Sequence, residues 1–128
     1  MNTVIRYTLP VVLGCVMSSI SCAGALDKGS LVAQCAMTAK HLQDIIQSMP
    51  YDKCTGDVAI AAAYVDAAKV QIMSSHYNQA LVSLHYGENE LRSIAYSRAY
   101  CANFSSLVKP SIAQVIRIMG ELETQSKE

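Results

Sequence analysis

From residue 30 onward, apolar residues recur every three to four positions, and polar or helix-breaking residues interrupt the rhythm at three places. The pattern predicts four helices. The first runs from about Ser30 to Ser48, carries Leu31, Cys35, Thr38, Leu42, Ile45, Ile46 and Met49 on one side, and is ended by Pro50. After Tyr51-Asp52-Lys53-Cys54-Thr55-Gly56, Asp57 is placed to cap a second helix reaching about Ser74. Two apolar stripes can be drawn on that helix, Ile60, Tyr64 and Ala67 on one and Val58, Ala61, Val65, Ala68 and Ile72 on the other. A helix apolar on two sides touches more than one neighbour.

Ser74-Ser75-His76 breaks the chain before a third helix, expected from about Tyr77 to somewhere between Cys101 and Ser105. Its stripe is Leu81, Leu84, Leu91, Ile94, Ala95 and Ala102, with Glu88 and Arg92 paired one turn apart on the surface. Pro110 fits the first position of a fourth helix, where a missing N–H costs nothing, and Ile112, Val115, Ile116, Met119 and Leu122 give that helix one apolar face. The tail from Glu123 to Glu128 is expected to fray. No segment alternates with period two, and turns of a few residues place consecutive helices antiparallel. The expected fold is all-α, an up-down antiparallel four-helix bundle.

Ahead of the bundle the character of the chain changes. Arg6 precedes an uncharged, mostly apolar run from Tyr7 to Ile20, and Ala23-Gly24-Ala25 supplies the small residues a signal peptidase reads. Residues 1–25 are therefore read as a signal peptide, with 26–128 as one helical domain. The run is interrupted by Pro10 and Gly14 and falls short of the ~20 apolar residues that cross a bilayer, so no membrane span is expected. A lipid anchor on Cys22 is the competing reading, since Ile20-Ser21-Cys22 forms a partial lipobox. Ser19 stands where such motifs usually carry leucine. Export places the mature chain in the periplasm or outside the cell, under oxidising conditions.

Charge removes other classes. Without Arg6 the mature chain has nine Lys and Arg against ten Asp and Glu, so no basic footprint for nucleic acid or anionic lipid exists. Three cysteines survive cleavage, which allows one internal bridge and one leftover thiol. At ~1.5 Å per residue, the third helix carries the chain about 36 Å from Tyr77 to Cys101, to the pole where Cys54 lies. Cys35 lies near the opposite pole. Because a bridge needs Cα atoms within about 7 Å, Cys54–Cys101 is the expected disulfide. Cys35 then reads as a small buried hydrophobe, against an intermolecular bridge or a lipid or redox role.

Chemistry is scarce. There is no Cys-x-x-Cys pair, His-Glu-x-x-His helix, Gly-x-Ser-x-Gly elbow or glycine-rich phosphate loop. The Glu-x-x-His signature of di-iron bundles is also missing. His41, His76 and His85 are scattered, so no metal, no cofactor and no enzymatic activity are expected. Of seven tyrosines, Tyr77, Tyr86, Tyr96 and Tyr100 fall on the third helix and its start. Tyr86 and Tyr100, fourteen residues apart, would share a face, with Tyr96 one turn before Tyr100. That face is a contact patch for a partner, or else is covered by a neighbouring helix.

The stretch Tyr64 to Leu91 resembles a single tetratricopeptide-type hairpin. Tyr64 stands where that repeat usually has tryptophan, and Ala68, Tyr77, Ala80, Leu81, Leu84 and Gly87 follow at the repeat's offsets. Gln71 departs from it, standing where an aromatic is common, and one hairpin of 28 residues is covered. The resemblance implies close helix crossing through small residues and a tilt towards peptide or protein binding. Two function classes follow. One is an exported non-catalytic module that binds a peptide, a protein or its own copy as a homodimer. The other is a carrier of a small apolar ligand, with Met37, Met49, Met73 and Met119 lining its interior.

Overall fold

The computed structural model describes residues 27–126. The signal peptide read at 1–25, with Cys22, lies outside the described residues. The chain forms α1 (Lys28–Ser48), α2 (Thr55–Met73), α3 (Tyr77–Tyr96), a 3-10 turn (Ala99–Cys101) and α4 (Ser105–Ser126). Among the described residues there is no strand. Consecutive helices pack on one another and α1 also packs on α4, closing an antiparallel four-helix bundle.

Each helix buries the stripe its sequence repeats. Leu31, Cys35, Ala39, Leu42 and Ile45 of α1 face Val58, Ala61, Ala62, Val65, Ala68 and Ile72 of α2 within one core that also holds Leu84, Leu91 and Ile94 of α3. Burying each large aliphatic side chain contributes roughly 1.5–3 kcal/mol before entropy is charged against it. The α2–α3 crossing is tight because Gly87 is buried on α3. A Cβ added there would lie 3.4 Å from the Cβ of Tyr64.

Helix ends are set by local chemistry. Asp27 caps α1, its carboxylate accepting from the Ser30 N–H at 3.0 Å. Pro50 disfavours helical geometry at the residue before it, and Met49 leaves it with φ −142° and ψ 69°, so α1 stops at Ser48. The expected capping role of Asp57 is not what the structure shows: the cap position falls three residues earlier, at Cys54, and α2 begins at Thr55. Asp52 accepts from the Cys54 N–H at 2.8 Å, while the Thr55 hydroxyl donates to the Met49 carbonyl at 2.9 Å. Those two bonds turn the chain before Asp57 is reached. At the other pole, His76 N–H donates to Gln71 O and Ser75 N–H to Ile72 O, a Schellman closure that puts Ser75 at φ 63°.

The segment joining α3 to α4 departs from expectation. α3 stops at Tyr96 instead of running to residues 101–105, and Tyr100 and Cys101 lie in the 3-10 turn. Ala102, expected on the buried stripe, is exposed. α4 starts at Ser105, so Pro110 sits inside it and not at its first position. Proline there forfeits the bond to the Ser106 carbonyl, but both residues face solvent and water can replace it. The earlier start brings Phe104 and Val108 into the core and rotates the buried face. Ile118 is fully buried, and Ile116, expected inside, is 42 % exposed. The tail expected to fray from Glu123 continues as helix to Ser126. Among the described residues, no helix is long and apolar enough to cross a membrane.

Candidate functional site

Two features stand out on the bundle: a polar cluster over a disulfide at one pole, and an uncovered apolar face on the α2–α3 hairpin.

At the pole, Cys54 and Cys101 are joined with Cα atoms 5.0 Å apart, linking the start of α2 to the 3-10 turn. Both are fully buried. Asp57, in the first turn of α2, accepts from Arg98 Nη1 at 2.9 Å and from the Tyr100 hydroxyl at 2.6 Å. Arg98 also donates to Glu90 at 2.5 Å, so one guanidinium bridges carboxylates from two helices. The hydrogen bond to Glu90, with both carboxylates nearby, pushes the Arg98 pKa above its ordinary value. Donation to Asp57 raises the Tyr100 phenol in the same way. Asp52 is shifted oppositely, its carboxyl lowered by hydrogen bonds from Asn103 and from the Cys54 N–H.

This cluster holds the α3–α4 connection in place. It also comes close to a ligand set, because the Cys54 and Cys101 sulfurs and an Asp57 oxygen lie within 4.8 Å of one another. The sulfurs are bonded to each other, so neither is a thiolate able to coordinate a metal. Of the histidines, His41 lies with Nε2 3.4 Å from the Leu107 carbonyl, His76 precedes α3, and His85 is exposed. They do not converge.

The four tyrosines do not share one face. Tyr77 is half-buried at the start of α3. Tyr86 stacks on Tyr64 of α2 with ring centroids 5.4 Å apart. Tyr96 lies on the α4 side, where Lys109 Nζ sits 5.2 Å from its ring centre. Tyr100 belongs to the polar pole, since α3 has already ended. The expectation of a Tyr86–Tyr96–Tyr100 face failed because it assumed one unbroken helix. Arg98 carried no signal in the sequence, whereas Tyr64 stood on the Ile60–Tyr64–Ala67 stripe of α2 and at the start of the tetratricopeptide-type hairpin, outside the expected tyrosine patch.

Exposed apolar side chains flank the Tyr64–Tyr86 stack. Ile60 lies one turn from Tyr64 and Val82 one turn from Tyr86, and they are 49 % and 54 % exposed. Tyr86 itself is 55 % exposed. Gln71 and Ser83 hydrogen-bond across the same seam at 2.8 Å towards the far pole. The four methionines do not line a common interior: Met37 and Met73 are exposed, Met49 is half-buried, and Met119 is buried. Cys35 is free, fully buried, and its thiol is pushed up to about 11 by desolvation. No family model, no curated protein and no solved structure matches this chain.

Proposed function

We propose that the chain is an exported, non-catalytic interaction module that binds a peptide, a protein partner or its own copy through the outer face of the α2–α3 hairpin. The observation carrying this reading is the half-open Tyr64–Tyr86 stack, flanked by exposed Ile60 and Val82. Rigid aromatic anchors surrounded by apolar neighbours are what partner surfaces use, since two χ angles cost little entropy to order. The small residues Ala68, Ala80 and Gly87 support the tetratricopeptide-type reading of this hairpin by letting α2 and α3 lie close. Export rests on the leader at 1–25, and the Cys54–Cys101 bridge is in keeping with it.

A photo-crosslinking amino acid at Val82, in the protein as its own cell exports it, tests the proposal. A discrete adduct is expected, lost on Tyr86→Ala or Ile60→Glu and absent when the crosslinker is moved to exposed Ala33 of α1. Gel filtration of the same sample separates a dimer from a foreign partner. No adduct from Val82, or equal adducts from Val82 and Ala33, would overturn it.

A further inference from the structure

Opposite the α2–α3 face, the α1–α4 seam is the least extensive of the four helix contacts. A groove of about 220 Å³ opens along it, lined by Met37, Thr38, His41, Pro110, Ser111 and Gln114. Ser111 is 2 % exposed. Among the described residues, its hydroxyl is the buried side-chain polar atom left without a hydrogen-bond partner. Buried hydroxyls are nearly always paired, so an unpaired one needs a physical account.

The neighbours are committed elsewhere. Thr38 donates to the Gln34 carbonyl at 2.8 Å, and the Gln114 amide donates to Gln34 Oε1 at 3.3 Å while its oxygen accepts from Arg117. Pro110 has no N–H to offer. No Asp, Glu, Lys or Arg lines the groove, and its one titratable side chain, His41, has Nε2 3.4 Å from the Leu107 carbonyl. Met37 is exposed, and its flexible thioether can move over an apolar guest. An apolar cavity of about 150 Å³ holds a benzene ring, so this volume has room for one ring bearing a polar substituent.

We propose that the groove binds a small neutral aromatic alcohol, its ring between Met37 and Pro110 and its hydroxyl supplying the partner Ser111 lacks. Ser111 lines the groove with its hydroxyl enclosed, so a ligand reaches that oxygen by parting the α1–α4 seam, the least extensive of these helix contacts. The site is independent of the α2–α3 face.

Phenol and toluene, equal in shape and differing in the hydroxyl, are the probes. Titrated into the exported, oxidised protein and followed by amide NMR, phenol should give saturating shifts confined to Met37, Thr38, His41, Ser111 and their neighbours. Toluene should bind about fivefold more weakly or worse. Ser111→Ala should erase that preference, leave toluene affinity unchanged, and melt no lower than wild type, because it removes an unpaired hydroxyl. Equal binding of the two probes, a preference that survives Ser111→Ala, or shifts that scatter without saturating would each overturn the assignment.

Discussion

Breaking the Cys54–Cys101 bridge should remove much of the stability of this domain. The bridge spans 47 residues of sequence. In the chain-entropy treatment, closing a loop of that size restricts the unfolded chain by about 4 kcal/mol. A domain of this size has about 5–15 kcal/mol in all. Reduction brings one compensation, because the freed Cys101 thiol sits 3.7 Å from Asp57 and can donate to it, returning up to about 1 kcal/mol. The net loss should therefore be about 3–4 kcal/mol. Urea unfolding followed by far-UV circular dichroism, on oxidised protein and on protein held reduced by a phosphine, measures it. With a slope of about 1–2 kcal/mol per molar, the midpoint should fall by roughly 2–4 M, and the slope should rise because the uncrosslinked chain exposes more surface. A Cys54→Ala/Cys101→Ala variant should lose still more, having given up two buried sulfurs as well. A difference below about 1 kcal/mol between oxidised and reduced protein would refute the reasoning that this bridge staples the pole.

Ser75 sits at φ 63°, where a side chain is disfavoured, so Ser75→Gly should stabilise the fold by up to about 1 kcal/mol in the same urea assay, less whatever the exposed Lys28–Ser75 bond contributes. Tyr100 donates to Asp57 and its phenol pKa is raised, so its stabilisation is whole below the ordinary tyrosine value and is lost as pH climbs through the folded one. Asp57→Asn should bring the tyrosinate absorbance step of Tyr100 down towards that ordinary value. Asp52 behaves oppositely: its lowered pKa means stability present above the ordinary aspartate range and lost as pH falls through the folded value, and Asp52→Asn should flatten that acid limb of the unfolding curve. The Cys35 thiol, buried and held at about 11, should resist iodoacetamide at neutral pH and react at full rate once urea unfolds the chain.

The bundle was legible in the sequence because its information is periodic. Stripes such as Leu31, Cys35, Leu42 and Val58, Ala61, Val65, Ala68 need only the helical repeat to be read, and each is buried as spaced. Pro50 and the Ser74-Ser75-His76 break act on the backbone locally, and they too could be read from the chain. The α3–α4 connection could not. No glycine or proline marks the end of α3. The segment is held by Arg98 reaching Asp57 and Glu90, by Cys101 bonded to Cys54, and by the Ser105 hydroxyl donating to the Ala95 carbonyl at 2.6 Å. Those partners are distant in sequence or need the turn already formed, so local propensity carries no trace of them. Pro110 misled because proline at a first helical position is common, while an exposed proline one turn further in is also tolerated. The tyrosine face failed with the helix it was drawn on, and Tyr64–Tyr86 emerged only once α2 and α3 were packed.

The claim beneath all of this is that the chain leaves the cytosol, loses its leader and holds one bridge with one sequestered thiol. Intact mass spectrometry of the protein isolated from its own cells, denatured without reductant in the presence of an alkylating agent, tests that most directly. The account predicts a chain beginning at Leu26, two hydrogens lighter than its reduced mass and carrying a single alkyl group on Cys35. A full-length chain with every cysteine alkylated would contradict it.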